Sequence, residues 1–525
     1  MTPRRGGLTR AVWVVAVGIL LSRVLGFARN VVLAGRLGDS PVADAYEAAF
    51  IVPDFLNYLL AGGFLAITFI PILSRYQAAD DRDGAQAAFN AVFWPVSVVI
   101  VILTLAAIAG AGTIVGWLFG SNGRMDAAQL DEITRLTRMV LPAQVCFVVG
   151  GLFMAVQYVH GRFLVPTLAP IVYNAGIIAG GLVGTGPGGV SATGFILGAV
   201  AGGLFGNLVL QWWGASRTGL VVRFERPDFR HPAFLEYLRL AIPLMIGQSI
   251  VVLDESIGKV VAASAPDGSI FSLNLARRVN MLPVGVIAQA AGVASYPYLA
   301  RLVAEGRRSE MLVSIGRTVR MVVFAGGVAV AGVIAVSQPA VRTAFQHGEF
   351  SVDGTVLTAA ALIGYSLSIP AWGVHQVFGR SFYAHRQMWV PVIAGTAWTL
   401  PAIPMFLLGF RIGGIPGLAL ASSIAITGHA LTLGLLWRRF HTSAGLEGVP
   451  RTVLQVIVAT AVAASGGRLV ADAVAGGRIP DFGTGLAATV AGLGTVAVIY
   501  LVMAMLTGSA EARVVVRRRF PARWR

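Results

Sequence analysis

The chain has 525 residues, of which 56% are hydrophobic and only 12% are charged, and its formal net charge is +16. An ordinary soluble domain carries roughly 25% charged residues, so this composition excludes a water-soluble fold for the chain as a whole. The arginines that supply the positive charge lie mostly in short segments between apolar runs, which is typical of membrane orientation rather than of a nucleic-acid-binding face.

Apolar runs recur along the chain, and each approaches the roughly 20 residues that an α-helix needs to cross a bilayer. A transmembrane β-barrel would need alternating segments of roughly 10 residues instead, whereas the run from Pro95 to Ala111 is apolar on every face. The sequence therefore predicts an all-α polytopic membrane protein with about 14 transmembrane helices. In chain order they are predicted at about 11–37, 43–74, 87–119, 134–159, 163–184, 189–215, 233–264, 268–299, 309–338, 354–379, 387–409, 413–437, 452–474 and 483–506.

Individual residues refine this pattern. The first apolar run lacks a small-residue cleavage site and continues through Arg23 and Arg29, which favours a membrane helix over a signal peptide. Cys146, the single cysteine, is expected to be a buried thiol, which leaves no disulfide and no cysteine-based metal site. Proline inside several spans predicts kinked helices, at Pro53, Pro95, Pro142, Pro243 and Pro283.

Orientation follows from the arginines between the spans. With a cytoplasmic N-terminus, 24 arginines lie in inside segments and only six in outside loops. The positive-inside rule then places both termini in the cytoplasm and requires an even number of helices. We therefore expect a multi-pass membrane protein with both ends in the cytoplasm and with 14 helices rather than 13.

A weak internal repeat divides the chain. The segment 70–75 closes the second predicted helix, and the similar segment 296–301 closes the eighth, 226 positions later. Six helices separate the two, so the halves share one orientation and are expected to be parallel repeats around a central cavity. The predicted domains are an N-terminal lobe at 1–225, a C-terminal lobe at 226–445, and helices 13 and 14 with a basic tail at 446–525.

Four arginines within predicted helices are the candidate binding residues. Each charged residue near the middle of a membrane helix costs roughly 2.5 to 3.5 kcal/mol, so it needs a partner or a wet cavity. Arg23 and Arg29 lie in the first helix, and Arg277 and Arg278 lie in the eighth. Guanidinium groups bind phosphate oxygens in bidentate fashion, which predicts an anionic headgroup such as a diphosphate. The alternative is internal pairing with nearby carboxylates, at Asp44, Glu47, Asp54, Asp254 or Glu255.

The seventh predicted helix carries a second group of charges. Glu255 and Lys259 stand at i and i+4 and are expected to neutralise each other. Asp254 is then left to hold a cavity arginine or to bind a coupling cation, and His375 in the tenth helix is expected to be a hydrogen-bonded structural residue.

Several motifs are missing from the sequence. The chain has no phosphate-binding loop, no zinc-type His/Glu cluster and no nucleophile-elbow serine, so neither ATP hydrolysis nor enzymatic activity is expected. No cofactor or metal is predicted. A monovalent coupling cation or the membrane potential is the expected driving force for transport.

Several stretches resemble one known family, the MurJ/MviN lipid II flippases. They are Ser22 to Arg29, Ala43 to Ala45, Phe69 to Leu73, Arg162 to Asn174, Ala276 to Arg278 with Pro283, and Phe345 to Phe350. The resemblance implies the fold of the multidrug, oligosaccharidyl-lipid and polysaccharide exporter superfamily, with two lobes and a groove beside helices 13 and 14 for a lipid tail.

The same resemblance implies a function. Members of the family move an undecaprenyl-diphosphate-linked peptidoglycan precursor to the outer leaflet by alternating access. Cavity arginines of the family correspond to Arg23, Arg29 and Arg278, its aspartate to Asp44, and a cavity asparagine to Asn174. The implied partners are the polyprenyl-diphosphate lipid, the bilayer, and cell-wall synthesis or division proteins.

The chain departs from the family pattern in the second helix. The family typically has an Arg-Arg pair and a Glu where this chain has Asn57, Tyr58 and Gly62, and Asn30 replaces an Asp. These departures keep two alternatives open, namely a flippase for another polyprenyl-linked glycan and a nontransporting scaffold for cell-wall assembly. An exporter of cationic drugs would require an acidic cavity, and the arginines argue against it.

Overall fold

A computed structural model describes residues 5–60, 64–120, 124–184, 191–223, 226–385, 387–476 and 482–519. Every regular element in these residues is helical. The helices are α1 (Arg5–Leu37), α2 (Pro41–Ala49), α3 (Ile51–Leu60), α4 (Phe64–Ala78), α5 (Arg82–Phe119), α6 (Ala127–Val140), α7 (Ala143–Val159), α8 (Leu164–Val183), α9 (Thr193–Gly202), α10 (Leu210–Ser216), α11 (Pro232–Ala262), α12 (Ser269–Ala304), α13 (Arg308–Phe345), α14 (Val352–Ser366), α15 (Ser368–Ala384), α16 (Trp389–Phe440), α17 (Val449–Ala475), α18 (Phe482–Leu506) and α19 (Ala510–Arg519).

The all-α membrane architecture is confirmed. Within the described ranges, ten helical segments are long and apolar enough to cross a membrane. One of them, α16, contains two predicted spans, because Gly413 and Gly414 leave helical geometry in its middle and Gly414 has φ +57. The remaining predicted spans correspond to α2 to α4, to α11 and to α12, so each predicted helix has a helical counterpart.

Four predicted spans are not single helices. The tenth is divided at Leu367 into α14 and α15. The second is divided into α2, α3 and α4, and Pro142 separates α6 from α7 within the fourth. In the sixth, a π-helical segment at Gly203–Val209 lies between α9 and α10. A Cβ on Gly150 of α7 would lie 1.7 Å from the Asn207 carbonyl oxygen, so glycine is required for this close contact with the π-helical segment. Wider turns of this kind are frequent at functional sites.

The helices form two compact units. Unit 1 contains residues 1–270 and 347–350, and unit 2 contains residues 271–346 and 351–525. The domain boundaries predicted from the repeat, at 225 and 445, rest on sequence similarity rather than on contacts, and they stay a prediction.

The core of unit 1 is rich in aromatic side chains. Phe89 stacks against Phe93 and Phe153, with ring centroids 5.2 and 6.0 Å away, and Tyr237 of α11 packs edge-on against Phe69. Such pairs add roughly 0.5 to 1.5 kcal/mol each beyond the burial of their area. They join α4, α5, α7 and α11, and α3 packs against α5, α7 and α11.

Unit 2 includes the last two membrane helices. α17 and α18 pack on α13, where the Tyr500 hydroxyl donates to the Phe324 carbonyl at 2.9 Å. The C-terminal α19 was not predicted as a helix. Its buried Glu511 accepts a hydrogen bond from Arg320 of α13 at 3.1 Å and thereby fixes the start of the basic tail.

Candidate functional site

The contact between α1 and α8 positions the first candidate residue. A Cβ on Gly18 of α1 would lie 2.8 Å from the Cβ of Thr167, so glycine lets the two helices approach closely. Further along the same interface, Arg29 donates to the Asn174 side-chain oxygen at 3.1 Å and to the Asn30 side-chain oxygen at 3.2 Å. Arg29 is partly buried, and both asparagines are buried. The structure therefore brings together Arg29 and Asn174, which the resemblance names separately as cavity residues.

Hydrogen bonding fixes the orientation of the Asn174 amide. Its nitrogen donates to the Pro170 carbonyl at 2.9 Å, one turn earlier on α8, which leaves the oxygen to accept from Arg29. An amide oxygen is neutral, so it orients the guanidinium without cancelling its charge.

Arg23 lies six residues before Arg29 on α1, about 9 Å along the helix axis. Its side chain is exposed, unlike that of Arg29. A rotation of 100° per residue separates the two side chains by about 120° around the axis. They therefore do not share one face of α1, and joint contact with a single anion requires a broad cavity.

Asp44 has a structural contact. It lies in the first turn of α2, which Ser40 caps by accepting from the Ala43 amide at 3.3 Å. The buried carboxylate of Asp44 accepts from the Gly268 amide at 2.8 Å, and Gly268 itself has φ +82. Asp44 thus holds the turn between α11 and α12 against the start of α2, and a role in substrate binding stays a prediction.

Lys259 lies in a buried cluster of opposite charges. Its ammonium is 3.5 Å from the Glu255 carboxylate and 4.0 Å from that of Glu47, and it donates to the Glu47 carbonyl at 3.3 Å. The Glu47 side chain is fully buried and that of Lys259 is 5% exposed. The pair at positions 255 and 259 is the one that the i, i+4 spacing suggested, and Glu47 is an additional partner.

The remaining candidate residues are Asp254 on α11 and the two arginines at the start of α12. Asp254 lies on α11, and its side chain is outside the described residues, as is the whole of Gly62. Arg277 and Arg278 lie near the start of α12 in unit 2, partly buried, and each has an interaction within the protein. Their role in binding stays a prediction.

A cavity of about 420 Å³ opens within unit 1 beside α3, α7 and α8. Its lining includes Asn57 and Tyr58, two positions where the chain departs from the family pattern. Four further residues line it that were not predicted as site residues, namely Phe50, Gln144, Phe147 and Tyr173. A glutamine two residues after Pro142, in the middle of an apolar run, is the one signal that could have identified the cavity.

Comparison with known proteins agrees with the family resemblance seen in the sequence. Residues 33–476 match the family model described as lipid II flippase MurJ. A probable lipid II flippase MurJ from Rhizobium meliloti (strain 1021) is 29% identical over 449 residues, which is 85% of this chain and 83% of the relative.

Two solved structures share the fold. A lipid II flippase MurJ in an inward closed conformation has a TM-score of 0.73 and 21% identity, and the match covers 97% of this chain and 99% of that one. An inward-facing multidrug resistance transporter of the MATE family and the MOP superfamily has a TM-score of 0.66 and 15% identity, over 83% of this chain and 98% of that one.

Proposed function

The chain belongs to the lipid II flippase MurJ family, and from this premise we propose that it moves lipid II, a polyprenyl-diphosphate-linked cell-wall precursor, to the outer leaflet of the cytoplasmic membrane. The transport proceeds by alternating access and changes no covalent bond in the substrate. Both termini are cytoplasmic in this proposal, in agreement with the positive-inside distribution of arginine.

The observation that carries the proposal is the environment of Arg29. A guanidinium within a membrane helix is costly, and here two amide oxygens hold it at 3.1 and 3.2 Å. A diphosphate offers oxygens that a guanidinium fork binds in bidentate fashion, and such charge-assisted bonds are about twice as strong as neutral ones. Arg29 therefore supports an anionic lipid headgroup as the substrate.

Arg23, Arg277 and Arg278 are proposed as further anion-binding groups. Arg23 is exposed on α1, and the other two are partly buried on α12. Asp44 is proposed to connect the site to the turn at Gly268, so that its contribution is positional. Each of these assignments can be tested by measuring how much lipid II transport the alanine variant of that residue retains.

The membrane potential is proposed to drive the transport. When an anionic headgroup moves outward across an inside-negative membrane, its free energy falls by about 2.3 kcal/mol per charge per 100 mV. The alternative driving force is the gradient of a monovalent cation that binds at Asp254.

A depletion experiment tests the proposed function. When the protein is depleted in its host, lipid II is expected to accumulate in the inner leaflet, and the wild-type chain, but not the Arg29→Ala variant at equal abundance, is expected to restore its export. Rescue by Arg29→Ala at full rate would instead support a scaffold for cell-wall enzymes.

One observation favours a second candidate substrate. Asn57 and Tyr58 line the cavity of unit 1 at positions where the family typically carries two arginines. A different lining is compatible with a different glycan on the same polyprenyl diphosphate. Accumulation of another lipid-linked glycan, with lipid II unchanged, would identify this alternative.

A further inference from the structure

The cavity of unit 1 combines aromatic and polar side chains. Its volume of about 420 Å³ lies within the roughly 300 to 1,000 Å³ of small-molecule pockets. The Phe147 and Tyr173 rings pack edge to face, with centroids 5.2 Å apart and planes at 78°. Asn57 and Gln144 add neutral amides to the lining, and Tyr58 adds a phenol.

Gln144 indicates that the cavity is built to hold a hydrogen-bonding guest. The residue is only 2% exposed, and its side-chain oxygen has no hydrogen-bond partner among the described residues. A buried acceptor without a donor lowers stability, so such groups are rare unless a ligand or water completes them. Since Pro142 ends α6, Gln144 lies in the first turn of α7, at the wall of the cavity.

The lining discriminates between classes of guest. The described residues of the lining include no lysine or arginine but do include the carboxylate of Asp54, so a phosphate would meet repulsion without a counter-charge from them. A lipid tail would leave the Gln144 oxygen unsatisfied. An organic cation would need the Asp54 charge, but Asp54 already has an interaction within the protein.

A sugar ring meets the remaining requirements. Its hydroxyls both donate and accept, so they can satisfy amide and phenol groups, and its carbon-bound hydrogens form apolar faces that aromatic rings can cover. We propose that this cavity binds one neutral sugar ring of the lipid-linked glycan, with Gln144 and Asn57 as its hydrogen-bonding residues. The proposal rests on the proposed function, because it assigns a subsite to the same substrate.

Two lipid probes test this assignment on the full chain in nanodiscs. One is undecaprenyl diphosphate, and the other is the same lipid with a single N-acetylhexosamine on the diphosphate. The wild-type chain is expected to bind the sugar-bearing lipid about tenfold more tightly. Gln144→Leu and Asn57→Leu are expected to reduce this preference to about twofold or less, with unchanged affinity for the bare lipid.

Gln157→Leu is the matched control. Gln157 is a fully buried glutamine of the same helix, and its side-chain oxygen also has no hydrogen-bond partner among the described residues. Its side-chain nitrogen donates to the Gln211 side chain at 3.0 Å, and the residue does not line the cavity. This variant is expected to melt at a lower temperature and to keep the tenfold preference. A generic effect of removing a buried amide from α7 would instead reduce the preference in both glutamine variants and contradict the assignment.

The remaining outcomes separate this proposal from the proposed function. Equal wild-type binding of the two lipids, or full preference in Gln144→Leu, would overturn the sugar subsite and leave the flippase function standing. Displacement of the sugar-bearing lipid by the organic cation ethidium would also overturn it. Failure of the wild-type chain to bind either lipid would contradict the function itself, and the subsite with it.

Discussion

Lys259 and Arg29 are two cations of unit 1 with contrasting partners. The ammonium of Lys259 lies within 4.0 Å of the Glu47 and Glu255 carboxylates, and its side chain is 5% exposed. The guanidinium of Arg29 donates to the amide oxygens of Asn174 and Asn30. Carboxylates neutralise the charge that they hold, whereas amides only orient it.

The contrast separates a structural charge from a binding charge. Lys259 compensates the fully buried Glu47 and connects α11 to α2, so its charge is satisfied inside the protein. Arg29 donates to the neutral amide oxygens of Asn174 and Asn30, which orient its guanidinium, and we assign this group to anion binding. Lys259 is therefore expected to matter for stability and Arg29 for transport.

The largest effect is expected for Lys259→Met. The substitution leaves Glu47 buried without its counter-charge, and the loss of one partner from a buried pair destabilises by roughly 3 to 5 kcal/mol. The melting temperature in nanodiscs should fall by several degrees, while the transport rate per folded molecule stays close to that of the wild type.

A triple variant controls for the charge itself. Lys259→Met combined with Glu47→Gln and Glu255→Gln removes all three charges at once, and it should recover most of the lost stability. If the folded triple variant transported no lipid, the assignment of Lys259 to a purely structural role would be wrong.

Arg29→Ala is expected to have the next largest effect. Loss of a charge-assisted contact to a phosphate should reduce the rate of lipid II translocation in proteoliposomes by about 10- to 100-fold, because such bonds contribute roughly 1.5 to 3 kcal/mol. Arg29→Lys keeps the charge without the planar fork and should be intermediate.

Arg135→Ala provides the matched control for Arg29→Ala. Arg135 is also an arginine of a membrane-spanning segment, but its guanidinium lies 2.7 Å from the Glu132 carboxylate and is 47% exposed. Its removal should change translocation less than twofold. If Arg29→Ala and Arg135→Ala lost translocation rate equally, the assigned role of Arg29 in transport would be refuted.

Substitution of Asn174 converts one kind of site into the other. Asn174→Asp places a carboxylate beside Arg29, as Glu47 stands beside Lys259, and it should reduce translocation about tenfold by neutralising the guanidinium. Asn174→Leu removes only the orienting bond and should cost about threefold to fivefold. If Asn174→Asp translocated lipid II faster than Asn174→Leu, the role assigned to the Arg29 charge would be contradicted.

The smallest effect is expected for Glu255→Gln. The Glu255 side chain is 36% exposed, so its pairing with Lys259 is largely screened and should contribute less than about 1 kcal/mol. Thermal melting should hardly change, whereas Glu47→Gln should lower the melting temperature clearly. A larger loss from Glu255→Gln than from Glu47→Gln would reverse the ranking of the two carboxylates.

Much of the fold was accessible from the sequence because apolar length and proline determine it locally. The break at Pro142 and the turn at Gly413 and Gly414 fall where the sequence predicts interruptions. The division of the second span into three helices and the π-helical segment were not predicted. The contact between Gly150 and Asn207 joins residues 57 positions apart, and hydrophobic periodicity carries no information on it.

The candidate site could be predicted from the sequence only in part. Arg29 was identified because a charge in an apolar run is costly, but its partner Asn174 lies 145 positions away and entered only through the family resemblance. Glu47 and Lys259 are separated by 212 positions, so their pairing needed the structure. Neutral residues such as Gln144 and Tyr173 produce little signal in an apolar run, although they line the cavity.

Equilibrium binding of undecaprenyl diphosphate to the purified chain in nanodiscs is the most direct test of the central claim that Arg29 binds the anionic substrate. Arg29→Ala should weaken binding at least tenfold, and the triple variant at Glu47, Glu255 and Lys259 should bind like the wild type. Wild-type affinity in Arg29→Ala, together with a loss in the triple variant, would contradict the claim.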